Sequence, residues 1–105
     1  LFSLGNYSSS IKVFLESTFL SVNILAKKQK NISNHFSEKN PSTESIDFFK
    51  GKNNTFLING CLANLECRIN EKIKKGDHYI FICKVLNVQS NDNLKPLSYY
   101  NSKYN

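Results

Sequence analysis

Apolar and polar positions alternate along this chain in patterns that divide it into two halves. Leu1 to Gly5 is short and apolar and breaks at Gly5-Asn6, which predicts the end of a strand. Ser8-Ser9-Ser10 then offers N-cap hydroxyls ahead of Ile11, Phe14 and Leu15, spaced i, i+3 and i+4 as on one face of a short helix. Phe19 to Leu25 is dense in β-formers and predicts a strand buried on at least one face. Lys27 to Ser37 returns to helical spacing, with Ile32 and Phe36 four apart.

Glu38 to Asn54 is rich in Asn, Ser and Lys, with Ile46, Phe48 and Phe49 embedded, and reads as a long loop pinned by its aromatics. Cys61 to Lys74 alternates: Leu65, Cys67, Ile69 and Ile73 on one face, Asn64, Glu66, Arg68, Asn70 and Lys72 on the other. Lys75-Gly76-Asp77 predicts a turn, and Tyr79 to Val88 a second long strand. Both faces of that strand are apolar, with Tyr79, Phe81, Cys83 and Val85 opposite Ile80, Ile82, Leu86 and Val88. The expectation is a central strand with a half-exposed partner. The order β-α-β-α-loop-β-β predicts an α+β, mainly β fold: a barrel-like, mostly antiparallel sheet with two short helices, in one domain spanning 1–105.

Composition narrows the function. With 105 residues there is room for one small domain. No apolar run approaches the roughly 18 residues of a membrane-spanning helix. The start Leu1-Phe2-Ser3-Leu4-Gly5 has neither Met nor a basic leader, reads as the middle of a strand, and predicts a fragment. Net charge is +6, but thirteen of the fourteen cations are Lys, scattered and not interleaved with aromatics. Neither a nucleic-acid nor a membrane partner is expected. Cys61, Cys67 and Cys83 are odd in number, lack CxxC spacing and sit in apolar stretches, which excludes a zinc site and fits a reducing, cytoplasmic setting.

No GxSxG, P-loop, GxGxxG or HExxH motif is present. His35, beside Phe36 on the second helix, reads as a surface or packing residue. His78 follows Gly76-Asp77 where a turn enters an apolar strand; it is either turn chemistry or an imidazole presented at a barrel rim to a ligand. Ser8, Ser9 and Ser10 are either helix caps or part of a phosphate site. Asn23, within an apolar strand, must be hydrogen-bonded to backbone or to ligand. Tyr99, Tyr100 and Tyr104 either pack a core edge or stack on a planar cofactor. On residues alone this is a small α+β domain with an anion or planar-ligand site.

Five stretches in order extend that reading. Phe19-Leu20-Ser21-Val22-Asn23-Ile24-Leu25 is similar to the "F-x-V-N-x-L" strand of the flavin reductase-like family, the FMN-binding split barrels, and Gln29 to Phe36 to the "Q-x-x-L-x-x-x-F" helix that follows it. Gly60 to Cys67 resembles "G-A-L-A-x-L-E-C", Gly76 to Val85 resembles "G-D-H-x-I-F-I-G-x-V", and Pro96 to Tyr104 resembles the closing "P-L-x-Y-x-x-x-x-Y". The resemblance implies a split β-barrel and NAD(P)H-dependent reduction of FMN or FAD, with NADH or NADPH as co-substrate. Reduced flavin would pass to a flavin-dependent monooxygenase, and the working unit would be a homodimer. By motif match, His78 positions or polarises the dinucleotide. Asn6, Ser8 and Ser9 contact the flavin phosphate or ribityl chain. Asn23 and the Tyr100 to Tyr104 segment, with Lys103, also fall among the cofactor-binding positions, and no metal is implied. Cys83 stands where the family has a small residue, and Lys103 keeps positive charge where Arg is common. The family's N-terminal strands are not represented, so the resemblance implies a truncated member with open sheet edges, and its alternative is a non-catalytic flavin- or anion-binding remnant.

Overall fold

A computed structural model describes all 105 residues, and a long hairpin, β5 (Ala63–Lys75) with β6 (His78–Ser90), forms its spine. Lys75 pairs with His78, so Gly76-Asp77 alone closes the hairpin. Gly76 has φ +58°, the conformation that the first central position of a type II′ turn demands and that glycine takes at little cost. β1 (Phe2–Gly5) pairs antiparallel with β6, and β2 (Phe19–Ile24) with β5, giving the order β1-β6-β5-β2. The expected mostly antiparallel half-barrel with two short helices is therefore what the chain adopts. The expected half-exposed partner, β5, is itself interior to the sheet, flanked by β2 and β6, and its exposed residues lie from Arg68 onward.

The register shifts twice, between Glu66 and Cys67 and between Ile69 and Glu71. Such bulges bend the bulged strand and increase its twist, which curls the sheet. They also exchange faces. Ile69 pairs with Cys83, but beyond unpaired Asn70 it is Lys72 that faces Phe81, while Ile73 faces Ile80. Strict alternation thus misplaces Ile73, Lys72 and, past Leu86, Val88, which sits opposite Leu65.

On the concave face Phe81 is fully buried. It stacks on Phe2 at 5.0 Å, and Phe14 of α1 (Ile11–Glu16) meets both rings, at 5.7 Å from Phe2 and 6.0 Å from Phe81. The serines do not cap this helix as expected: Ser10 at the N-cap position has helical backbone angles and makes no side-chain cap bond. Ser8 Oγ instead accepts from the Ser10 N–H at 3.3 Å. The C-terminal end is served by Lys72, whose Nζ donates to the carbonyls of Leu15 and Ser17, a cation where the helix dipole favours one. Beyond the aromatic trio the face opens into a cavity of about 530 Å³ whose walls include Leu4, Leu20, Val22, Leu65, Cys67 and Val85.

The convex face carries a small hairpin, β3 (Phe48–Lys50) with β4 (Phe56–Ile58). β3 falls inside the segment read as a loop, since three residues are too few to show a period. β4 covers part of the polar side of β5 and buries Asn64 and Glu66, which alternation assigns to solvent. A 3-10 turn (Lys27–Gln29) leads into α2 (Lys30–Phe36). Buried Gln29 accepts from the Ala26 N–H at 2.9 Å and donates to the Asn59 carbonyl at 2.8 Å. The chain then ends in β7 (Tyr99–Tyr100) and β8 (Lys103–Tyr104), joined by Asn101-Ser102 with both φ positive, as in a type I′ turn. No helix is long and apolar enough to cross a membrane.

Burial opposes ionisation of Glu66. The Thr55 hydroxyl, the Asn53 N–H, the Asn87 amide and the Lys52 N–H outweigh it, so its carboxyl is held below the ordinary value. A depressed carboxylate contributes stability that is complete above the unfolded pKa of about 4.3 and lost as pH falls through the lower folded value. Urea unfolding should therefore show an acid step below about pH 4 that Glu66→Gln flattens, at a lower plateau. The same assay should show Phe81→Ala costing about 3–5 kcal/mol; a loss under about 1 kcal/mol would mean the aromatic trio is not the core.

Candidate functional site

The β1–β6 pairing brings four of the candidate residues to one corner. Gly5 pairs with His78, the Asn6 N–H donates to the Asp77 carbonyl at 2.8 Å, and the Ser8 N–H donates to the Gly5 carbonyl at 3.0 Å. Asn6, Ser8, Ser9 and His78 thus share the closed end of the hairpin. His78 Nδ1 lies 2.8 Å from Asp77 Oδ1, and the ring is half-exposed with Tyr7 edge-on at 6.3 Å. Asp77 is held below its ordinary pKa chiefly by this hydrogen bond. With Nδ1 donating to the carboxylate, Nε2 has no protein partner, and in the neutral ring it is an acceptor. Of the two readings of His78, the turn chemistry is what the geometry shows: Asp77 fixes one ring nitrogen and leaves the other without a protein partner.

Asn23 lies elsewhere. It pairs with Asn64 on β5, which in turn faces Gln89 near the open end of the hairpin. Its Oδ1 accepts from the Ile58 N–H at 3.0 Å and from Asn64 Nδ2 at 2.8 Å, and its Nδ2 donates to Ser21 Oγ at 3.3 Å. The amide braces β4 against β2 and β5. Beside it, between β2, α2 and the β3–β4 hairpin, runs a groove of about 770 Å³ with Leu25, Phe36, Phe48, Phe56 and Ile58 in its walls. Phe48 and Phe56 meet edge-on at 5.9 Å, and Phe56 remains 57% exposed.

The terminal hairpin divides its tyrosines. Tyr104 shares a 2.8 Å hydrogen bond with Ser33 Oγ, lies under Lys30 Nζ at 5.5 Å, and packs against Tyr99 at 5.0 Å. Ser33 also lines the groove, so Tyr104 sits beside it. Tyr100 is 77% exposed and Lys103 is exposed, and neither side chain makes a hydrogen bond. No large cavity joins the His78 corner to Asn23 or to this hairpin.

Other chemistry is restrained. Burial pushes the thiols of Cys61, Cys67 and Cys83 up, and all three are free, so at neutral pH they are thiols, not thiolate nucleophiles. His35 shares a 2.5 Å hydrogen bond with the Ser42 carbonyl, a loop-packing role. No group of three or more His, Cys, Asp or Glu is placed to hold a metal. Phe48, Phe56 and Glu66 escape a reading by period alone. The available signal is two polar residues, Asn64 and Glu66, in a strand otherwise flanked by apolar ones.

The Flavin reductase like domain family model matches residues 1–105. The chain belongs to this family. It is 28% identical over 109 residues to the FMN reductase (NADH) RutF of Serratia proteamaculans, covering 99% of this chain and 61% of that protein. It is 33% identical over 107 residues to the reductase component of the flavin-dependent trigonelline monooxygenase of Acinetobacter baylyi, covering 99% of this chain and 34% of that protein. The chain thus spans about three-fifths of the first relative's length and about a third of the second's. Among solved structures, the C-1027 NADH:FAD oxidoreductase SgcE6 of Streptomyces globisporus superimposes with a TM-score of 0.91 at 21% identity, over 99% of this chain and 65% of that one. At that identity the likeness establishes the split-barrel fold.

Asn23 and Tyr100 separate bracing from exposure. Asn23→Ala strands the Ile58 N–H and one N–H of the Asn64 amide and should cost about 1–3 kcal/mol in urea unfolding. Tyr100→Ala should stay within about 0.5 kcal/mol of the parent.

Proposed function

We propose that this chain belongs to an NAD(P)H-dependent flavin reductase that supplies reduced FMN or FAD to a monooxygenase component. The observation that carries the reading is the family match across residues 1–105, joined to relatives named as an NADH-dependent FMN reductase and as a monooxygenase reductase component. The residues fit the group. A groove of about 770 Å³ with exposed phenylalanines on its walls lies in the usual range of about 300–1,000 Å³ for such ligands. A net charge of +6 favours nucleotide phosphates.

The chemistry the flavin supplies is two-electron hydride acceptance from the nicotinamide. The chain's own residues bind and orient. Asp77 fixes the His78 ring, leaving Nε2 to hydrogen-bond the dinucleotide. Asn6, Ser8 and Ser9 offer an amide and hydroxyls to phosphate or ribityl groups. Asn23 keeps the β2 edge and β4 in register, and Tyr100 and Lys103 offer an aromatic face and a cation at the terminal hairpin. The separation of the His78 corner from the groove supports a homodimer in which two copies complete each site.

The test is oxidation of NADH and NADPH by the purified chain with added FMN or FAD, followed by loss of reduced-nicotinamide absorbance. Flavin-dependent turnover is expected. Flavin binding without turnover would favour a non-catalytic flavin-binding domain instead. His78→Ala should lower kcat/KM roughly 10–100-fold, the worth of one hydrogen bond to a polar or charged group. Unchanged turnover would remove His78 from the mechanism.

A further inference from the structure

Glu66 is 1% exposed and has no cation against it. Its Oε1 accepts from the Lys52 N–H at 3.0 Å and lies 3.5 Å from Asn87 Nδ2; its Oε2 accepts from the Asn53 N–H at 2.9 Å and the Thr55 hydroxyl at 2.7 Å. Three of these four donors belong to one short turn, the connection between β3 and β4. That turn is wrapped so closely around the carboxylate that a Cβ at Gly51 would collide with it, and only a glycine leaves room. The turn leads directly into Phe56, and Phe48 stands two residues before Lys50 at its other end. At the far end of β4 the Ile58 N–H and carbonyl are held by Asn23 and Asn64. β4 is therefore clamped at both ends by polar side chains, Glu66 and Asn64 buried and Asn23 half-buried, and its middle residue, Leu57, is 1% exposed. Phe56 nevertheless turns outward and, with Phe48, walls the groove.

A carboxylate so deeply buried without a counter-ion is costly, and hydrophobic cover for β5 would be cheaper. What the carboxylate provides and an apolar residue cannot is a fixed position for backbone N–H groups of a turn with little packing of its own. We propose that Glu66 is a positioning residue for the flavin site: through the β3–β4 turn it sets where Phe48 and Phe56 stand, and so how well the groove receives a planar ring. This rests on the flavin-reductase reading above.

The experiment compares the whole chain with Glu66→Gln and Thr55→Val, using amide hydrogen exchange, FMN titration and steady-state kinetics. Glu66→Gln keeps the size but turns a donor toward a donor; Thr55→Val removes one bond and leaves the carboxylate, so it carries the test if Glu66→Gln does not fold. In Glu66→Gln, exchange over residues 51–58 should quicken and the FMN Kd and flavin KM rise about tenfold, the worth of a single net hydrogen bond. The amides of β6, the NADH KM and kcat should stay within about twofold, and Thr55→Val should show the same pattern at a smaller size. Exchange over 51–58 unchanged in both variants would overturn the clamp. A loosened turn with an unchanged FMN Kd would overturn the positioning role while leaving the flavin reading intact. A parent chain that binds no FMN would overturn the flavin reading itself, and this role with it.

Discussion

The register of β5 against β6 is the constraint from which the other positions follow. Gly76-Asp77 closes the pairing with two residues, so every cross-strand partner from Lys75–His78 upward is counted from that turn. Two bulges then interrupt the count, and their effect is functional as well as geometric. By moving Lys72 to the concave face, the Asn70 bulge places an ammonium where the last turn of α1 has carbonyls without intrahelical partners. By curling the sheet, the bulges bring α1 across its concave side, where Phe14 joins Phe2 and Phe81. A slip of one residue at the turn would exchange both faces at once.

The convex side is organised by polar groups that sheet geometry alone would leave in water. Asn23 and Asn64 form one cross-strand pair of β2 and β5, Glu66 stands two residues further on opposite Ser21, and together they fix a three-residue strand and the turn that leads into it. A strand as short as β4 has too few ladder bonds to specify its own place. Side-chain acceptors and donors at both ends supply the missing specification, and the unpaired-group penalty makes the arrangement all-or-none.

This division explains what could be read from the chain in advance. The long strands, the turn between them, both helices and the antiparallel half-barrel were legible, because period and turn chemistry are local. The setting of His78 at the mouth of the turn was legible for the same reason: its neighbours Gly76 and Asp77 define it. The faces of Ile73 and Val88 were not, since a bulge leaves no mark in an alternating pattern. β3 and β4 were hidden by their length, and the burial of Glu66 by its partners, which arrive from residues 52–55 through tertiary contact. Ser8 to Ser10 misled because hydroxyls at a helix start satisfy the capping pattern whether or not the backbone adopts cap angles.

Only 12 of the 105 residues are buried, and that ratio bears on how the site and the fold depend on each other. The concave face opens into an apolar cavity, the groove displays phenylalanines, and the β1 and β2 edges have unpaired backbone groups. Each of these surfaces gains from being covered, so whatever binds the native chain also stabilises it. A ligand at a hundred times its Kd contributes about 2.7 kcal/mol by mass action, close to the lower end of what the central aromatic Phe81 is worth, about 3–5 kcal/mol. Occupancy of the groove therefore belongs to the same free-energy balance as the core, and the residues that shape the groove, Glu66 among them, act on ligand affinity and on the stability of the liganded chain alike.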